Sequence, residues 1–145
     1  MTIAATVVSA ITVVALAATL STVAAQQPAR SVWDGVYSVE QAQRGNALYV
    51  QRCAACHGPE LAGAEMASPL TGGAFLSNWD GLTLGDLSER IRGSMPQDDP
   101  GTLSRQQVSD VLAFMLSAGR FPANKTDLPR EAELLKQIKF QAAKP

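Results

Sequence analysis

The 145-residue chain has few side chains that bind metals: one histidine, His57, and two cysteines, Cys53 and Cys56. A structural zinc site takes four ligands of the Cys or His type, so this chain cannot complete one alone. A single histidine also excludes coordination of one metal by two histidines of this chain. The two cysteines lie three positions apart, and the histidine follows the second one directly.

Charged residues are absent before Arg30. The apolar run over residues 3–25 ends in the small residues Val23-Ala24-Ala25, as a cleaved signal peptide does. The run is also long enough to cross a bilayer, so an uncleaved membrane anchor over residues 1–25 remains an alternative. A buried hairpin of the fold is the third interpretation. Both export interpretations predict a periplasmic domain, which contacts the membrane only if the segment is uncleaved.

A strong charge bias is also missing, since 12 Lys and Arg face 13 Asp and Glu for a net charge of −1. A nucleic-acid partner is therefore not expected, because such proteins carry clustered positive charge.

Alternating apolar and polar residues are absent over any length that would form a strand, so the sequence predicts an all-α fold of three to four short helices. Ser38 and Gln41 form a capping box before the first helix, and Gly119 is the expected stop of the third. The segment from Gly58 to Asp80 is predicted to be a long loop. The predicted helices cover about residues 39–51, 83–92, 105–118 and 127–139. Such a thin core with long loops predicts a large cofactor.

The segment Cys53-Ala-Ala-Cys56-His57 has the spacing at which c-type haem is attached covalently. Two intervening residues let both sulfurs reach the vinyl groups along one side of the porphyrin, and the adjacent histidine then lies under the iron. Three alternatives stay open: a zinc site shared with another chain, a thioredoxin-like dithiol and a structural disulfide. One haem with His57 as axial ligand is the prediction.

Three methionines are candidates for the sixth iron ligand: Met66, Met95 and Met115. Met115 lies on the apolar face of the third helix, where methionine usually fills a core. Met66 follows His57 so closely that its loop would have to wrap around the porphyrin edge. Met95 precedes Pro96, which favours extended backbone that can direct a sulfur sideways, so Met95 is the predicted ligand. An open coordination site is the remaining alternative.

These motifs resemble class I cytochromes c over about residues 38–122. The resemblance implies a cytochrome c-like fold, and it implies that the Pro69 carbonyl binds the axial histidine and the Trp79 indole binds a haem propionate. It also implies a close crossing of the first and third helices at Gly45 and Tyr49, with Phe114 or Met115 opposite.

Three further segments resemble monohaem cytochromes that are encoded with, or fused to, quinoprotein dehydrogenases oxidising alcohols or sugars. They are Val32-Trp-Asp-Gly-Val-Tyr37, Ser94-Met-Pro with Pro100-Gly-Thr-Leu-Ser104, and Phe121-Pro-Ala with Leu128-Pro129. Asn124 replaces the glycine that usually follows Phe-Pro-Ala. Trp33 and Tyr37 are expected to pack on the haem domain, and a place in a partner's groove is the alternative.

The expected organisation is a signal peptide or anchor over residues 1–25, a linker over 26–37, the haem domain over 38–122 and a C-terminal extension over 123–145. The expected function is transfer of single electrons from a quinoprotein-type dehydrogenase toward a terminal oxidase or another cytochrome. No catalytic acid, base or nucleophile constellation is found, so the chain itself is not predicted to be an enzyme. The alternatives are a haem relay subunit of a membrane-bound complex and a ligand-binding or peroxidase-like haem protein.

Overall fold

The computed structural model describes residues 30–65 and 67–145. The predicted signal peptide or anchor and the candidate ligand Met66 lie outside these residues.

The described residues form six α-helices and one pair of parallel two-residue strands. The all-α prediction is confirmed, with two more helices than the sequence predicted. Helix α5 packs against both α1 and α4, and the core lies around it. The elements are β1 (Arg30–Ser31), α1 (Val39–Arg52), α2 (Ala54–His57), α3 (Gly72–Trp79), α4 (Leu84–Ser94), α5 (Arg105–Ala118), α6 (Ala132–Leu135) and β2 (Ile138–Lys139).

The close crossing of α1 and α5 is confirmed. A Cβ atom at Gly45 would overlap the carbonyl oxygen of Asp110 and would lie 3.0 Å from the Cβ of Phe114. Tyr49, one helical turn later, is fully buried with its ring centroid 5.1 Å from that of Phe114. Glycine is therefore required at the contact point, and Phe114 is the aromatic partner.

The start of α1 differs in one respect from the predicted capping box. The Ser38 hydroxyl accepts a hydrogen bond from the Gln41 backbone N–H at 3.0 Å, as expected for an N-cap. The Gln41 side chain does not turn back to Ser38. It is fully buried, donates to the Ser109 hydroxyl at 3.1 Å and accepts from the Leu128 N–H at 2.6 Å. The backbone groups of Leu128 are buried and cannot bind water, so they bind the Gln41 amide instead.

Helix α5 begins as predicted, with a complete capping box between Ser104 and Gln107. Its end differs. Gly119 has φ −74°, and the residue with left-handed backbone is Arg120 at φ 63°. The Phe121 N–H then bonds the Leu116 carbonyl at 3.0 Å, which closes the helix as a Schellman motif does. The prediction placed the left-handed residue one position too early.

Two other elements correct the sequence predictions. The segment from Gly58 to Asp80 is not a continuous loop, because it contains α3 with Phe75 on its buried side. The last predicted helix is only the four-residue α6, after which Ile138 and Lys139 pair with β1. Pairing with β1 determines the extended conformation of Ile138 and Lys139, although the apolar residues of this segment have helical spacing.

The segments before Ser38 and after Arg120 pack together. The Trp33 ring centroid lies 4.7 Å from that of Phe121, and the Trp33 indole N–H donates to the Gln141 carbonyl at 2.9 Å. The Tyr37 hydroxyl donates to the Phe121 carbonyl at 2.7 Å. Trp33 and Tyr37 thus pack within the chain, as expected.

Candidate cofactor site

The cysteine and histidine motif forms one helical turn at the end of α1. The Cys53 N–H bonds the Tyr49 carbonyl at 2.8 Å, so Cys53 continues α1, and the His57 N–H then bonds the Cys53 carbonyl at 2.9 Å. Cys53 packs against the core, whereas Cys56 is exposed, and both are free thiols. The turn brings the three predicted site residues together at the surface end of α1.

The surroundings of Cys53 do not suit thiol redox chemistry. Burial is the main cause that raises the pKa of the Cys53 thiol above its ordinary value; the nearby Cys56 adds to the rise, and Arg52 opposes it. A redox-active dithiol instead relies on a thiolate whose pKa is lowered. A helix rather than a strand also precedes the motif, so this local structure disfavours the thioredoxin-like alternative.

Tyr49 links α1 to the residue that follows the motif, a contact that no local pattern predicted. Its hydroxyl donates to the Gly58 carbonyl at 2.6 Å, directly after His57. Burial, with a smaller contribution from Cys53, raises the pKa of Tyr49 to about 12, so this hydroxyl keeps its proton at neutral pH. The bond fixes the exit of the motif relative to α1.

The orientation of His57 is set by one hydrogen bond. Its Nδ1 lies 2.9 Å from the Ser68 carbonyl oxygen. Because a carbonyl can only accept, Nδ1 carries the proton and donates it. The other nitrogen, Nε2, is then unprotonated in the neutral ring and has a lone pair for a metal.

The acceptor for His57 is not the carbonyl of Pro69, which the resemblance implies, but that of Ser68. Pro69 still contributes, since a proline restricts the residue before it to extended backbone and thereby directs the Ser68 carbonyl. The acceptor thus lies one residue earlier than expected.

The loop between His57 and Leu70 is closed by its own backbone. The Gly63 N–H bonds the His57 carbonyl at 2.9 Å, and the Leu70 N–H bonds the Leu61 carbonyl at 2.8 Å. Leu61 is 2% exposed, so the loop has an apolar anchor of its own. This closure holds Ser68 beside His57.

Met95 directly follows α4 and has extended backbone, with φ −128° and ψ 147°. This backbone is what Pro96 predicts. The Met95 N–H bonds the Ile91 carbonyl at 2.9 Å, and its side chain is partly buried. Met95 is thus fixed at the end of a helix and does not continue it.

Arg52 joins the segment after Met95 to the motif. Its Nη2 lies 3.2 Å from the Thr102 hydroxyl oxygen and 3.5 Å from an Asp99 carboxylate oxygen. Arg52 directly precedes Cys53, so the two predicted ligand segments meet at this residue.

The remaining predicted residues have different surroundings. Met115 is 4% exposed in the core, which agrees with its predicted role as core filling. Trp79 is the last residue of α3, half-buried, with its ring centroid 6.2 Å from that of Phe75. Its predicted bond to a propionate stays a prediction.

An apolar cavity of about 230 Å³ lies between α3 and α5. The residues that line this cavity do not include Cys53–His57 or Met95. They do include Leu70, which directly follows Pro69 in the loop that positions His57. Among the lining residues are Leu70, Phe75, Leu76, Leu112, Met115 and Leu116.

Two features are absent from residues 30–65 and 67–145. No helix there is long and apolar enough to cross a membrane. These residues also contain no group of three or more His, Cys, Asp or Glu side chains placed to bind a metal ion.

Comparison with known proteins gives a family and a fold. Residues 40–115 match the family described as cytochrome c oxidase, cbb3-type, subunit III. A chain in the crystal structure of the sulfane dehydrogenase SoxCD from Paracoccus pantotrophus has a similar fold, with a TM-score of 0.51 and 22% sequence identity. The match covers 74% of this chain and 61% of that one, so this chain spans less than two thirds of its length. No curated protein is significantly similar in sequence.

Proposed function

The chain belongs to the cytochrome c family of cbb3-type oxidase subunit III, and we propose that it is a monohaem electron carrier. Its fold is that of a cytochrome c, as the sequence predicted, and its general role is electron transfer. In the proposal, Cys53 and Cys56 hold haem covalently, and His57 and Met95 are the axial ligands.

The observation that carries the proposal is the His57 turn. Its Nδ1–H is bound to the Ser68 carbonyl at 2.9 Å, which leaves Nε2 free to bind iron, and two unpaired thiols lie within the same turn. Thiols, imidazole and thioether are the groups that attach and coordinate haem c. The donor set of this chain therefore fits the cofactor that the family implies.

Each side chain then has a defined task. The thiols of Cys53 and Cys56 would each hold the haem through one thioether bond to a vinyl carbon, and the thiol hydrogen would go to the other carbon of that vinyl group. His57 is held in the correct tautomer by Ser68, and Met95 donates a thioether that favours the reduced state. When bound, haem would accept and release one electron reversibly at its iron.

Mass measurement of the denatured protein tests covalent attachment. The polypeptide should retain the mass of one haem, and the double variant Cys53→Ala/Cys56→Ala should lose it. The single variants should each retain haem through one thioether bond or lose it partly. Extraction of free haem from the unsubstituted protein by acidic acetone would contradict covalent attachment.

The proposed electron donor is a quinoprotein-type dehydrogenase, and the proposed acceptor is a terminal oxidase or another cytochrome. Support comes from the three segments that resemble dehydrogenase-associated cytochromes. Two of these segments contact each other in the fold, since Trp33 and Tyr37 of one pack on Phe121 of the other. Stopped-flow mixing of the ferric protein with a purified quinoprotein alcohol dehydrogenase should give ferrous haem only when alcohol is present. Lack of reduction with both alcohol and enzyme in excess would exclude the alcohol-oxidising quinoprotein as donor, and the same experiment with a sugar-oxidising quinoprotein and its sugar tests the rest of this class.

The proposed location is the periplasm. Cell fractions separated by electrophoresis and stained for covalent haem should show the protein in the periplasmic extract if residues 1–25 are cleaved. Retention in the membrane fraction would indicate an uncleaved anchor, and staining in the cytoplasm alone would contradict export.

A second candidate function is a haem relay within a larger oxidoreductase. The description of the matched family names an oxidase subunit, which favours this candidate. Gel filtration of gently solubilised material distinguishes the two, since a free carrier elutes at its own mass and a relay subunit elutes with its partners.

A further inference from the structure

Arg92 has an unsatisfied buried donor. Its Nε is shielded from water, and no hydrogen-bond acceptor reaches it from residues 30–65 or 67–145. A guanidinium has five N–H donors and no acceptor, so only an acceptor from another group can satisfy this Nε–H. Burying such a group without a partner costs free energy, which indicates an acceptor that the polypeptide itself does not supply.

Three acidic side chains on α4 and in the segment after Met95 have other partners. Asp86 accepts from the Thr83 hydroxyl at 2.7 Å and from the Thr83 N–H at 2.9 Å. Glu89 lies 3.8 Å from Arg105, on the neighbouring helix α5. Asp99, beyond Met95, pairs with Arg52. Arg92 is in none of the ion pairs found in the described part of the chain.

Arg92 lies in the last turn of α4, close in sequence to Met95. It lies four residues after Ser88, which is 5% exposed, and three residues before Met95. Residues four apart share one face of a helix, so Arg92 lies on the same face as Ser88, and α4 ends at Ser94, directly before Met95. Ile91 beside it packs against the core. Arg90, by contrast, is exposed on the other side of the same helix.

Building on the proposed function, we infer that Arg92 binds a propionate carboxylate of the haem. The guanidinium fork matches a carboxylate through two parallel hydrogen bonds, and the pair is charge-assisted. Arg92 precedes Met95 by three residues, so a haem held by Met95 would bring its carboxylates to the end of α4, where the buried Nε has no partner. Arg92 would thus give a propionate a charged donor. The resemblance to class I cytochromes c implies only the uncharged Trp79 indole as a donor to a propionate.

The inferred contact has an electrostatic consequence. Reduction adds one electron to the haem, and a nearby positive charge stabilises the reduced form relative to the oxidised form. Arg92 should therefore raise the reduction potential, and an exposed arginine that is screened by water should have much less effect.

Three holoprotein variants test this inference at one pH and one ionic strength. Arg92→Gln removes the charge, Arg92→Lys keeps it, and Arg90→Gln is the matched control that removes an exposed charge from the same helix. We expect Arg92→Gln to lower the reduction potential and shift the proton resonances of the propionate methylenes. Arg92→Lys should restore most of the potential, and Arg90→Gln should leave both measurements unchanged. The near-infrared band of methionine-ligated ferric haem should persist throughout.

Equal potentials and propionate resonances in Arg92→Gln, Arg90→Gln and the unsubstituted protein would overturn the inference. If Arg92→Gln does not hold haem, the unsubstituted protein decides: the Arg92 Nε–H should show nuclear Overhauser contacts to propionate methylene protons. Absence of those contacts in protein that carries covalent haem also overturns it. Absence of covalent haem from the unsubstituted protein would instead contradict the proposed function, so the two failures are distinguishable.

Discussion

At the scale of single residues, substitution of the proposed ligand Met95 tests whether the protein carries electrons or binds small ligands. Met95→Ala should open a coordination position, so that ferrous protein binds carbon monoxide readily whereas the unsubstituted protein resists it. The reduction potential should also fall, because the thioether favours ferrous iron. Optical titration with carbon monoxide and redox titration measure the two effects.

The other candidate methionines are the controls for this experiment. Met115→Ala should cost about 2–5 kcal/mol of unfolding free energy through a cavity in the core, without a change in the iron spectrum. Rapid binding of carbon monoxide by unsubstituted protein would favour the ligand-binding alternative. If Met66→Ala, and not Met95→Ala, removed the near-infrared band of methionine-ligated ferric haem, Met66 would be the ligand.

Tyr49→Phe should lower the free energy of unfolding by about 1 kcal/mol, because it removes the hydrogen bond to Gly58 but keeps the ring packed on Phe114. The folded state holds the phenol proton up to a pKa of about 12, whereas an unfolded tyrosine ionises near pH 10. Stability from this group is complete below pH 10 and decreases between these values, since the unfolded state loses its proton first.

Urea denaturation at several alkaline pH values measures this contribution. The decrease in stability above pH 10 should be smaller in Tyr49→Phe than in the unsubstituted protein. Identical pH profiles for the two proteins would show that the Tyr49 hydroxyl is not buried as the structure has it.

Pro96 predicted the extended backbone of Met95, because this effect is steric and acts on the adjacent residue. The helix crossing at Gly45 was implied by the resemblance to class I cytochromes c, since its partners on α5 are distant in sequence. Residue identities alone predict only such local effects. They did not predict the contacts of Gln41 or the acceptor of His57. Gln41 bonds the Leu128 backbone across the fold, and the acceptor of His57 depends on how the whole loop closes. Partners that are distant in sequence leave no local pattern to detect.

At the scale of elements, the crossing of α1 and α5 should tolerate no side chain at Gly45. Gly45→Ala should destabilise the protein by about 1–3 kcal/mol, since the added methyl group overlaps the Asp110 carbonyl and the helices must separate. Gly73→Ala in α3 is the matched control, because a Cβ atom there meets nothing within 4 Å. It should be neutral or stabilising by up to about 1 kcal/mol. Equal denaturation midpoints for the two variants would contradict the crossing.

Helices with caps and an apolar stripe were predictable, and those without were not. Thr83 with Asp86 and Ser104 with Gln107 mark the starts of α4 and α5 in the sequence, and both capping boxes form. The N-cap of α3, Thr71, makes no side-chain hydrogen bond, and the helix itself begins with two glycines, which have low helix propensity. Its stability comes from packing of Phe75 against Phe140, a contact between segments far apart in sequence.

At the scale of the whole molecule, residues on both sides of the predicted haem domain contribute to the core. Val32 and Val36 are 0% and 2% exposed on the N-terminal side. Leu135, Ile138 and Phe140 are 1%, 2% and 0% exposed on the C-terminal side. The parallel pairing of β1 with β2 joins these two segments. The sequence predicted a linker over residues 26–37 and a C-terminal extension with a short helix over 123–145, because the contacts that bury them are made with segments distant in sequence.

Phe140→Ala measures how much the C-terminal segment contributes to the fold. The Phe140 ring centroid lies 5.8 Å from that of Phe75 and 5.5 Å from that of Phe121, and its N–H bonds the Leu82 carbonyl at 2.8 Å. Loss of a buried phenylalanine should cost about 3–5 kcal/mol in urea denaturation of the holoprotein. Leu134→Ala, with 46% of the residue exposed, is the control from the same segment and should cost less than about 1 kcal/mol. If both variants unfolded at the same urea concentration, residues 123–145 would be a dispensable extension. A large difference would make them part of the structure that holds α3, and with it Trp79, in place.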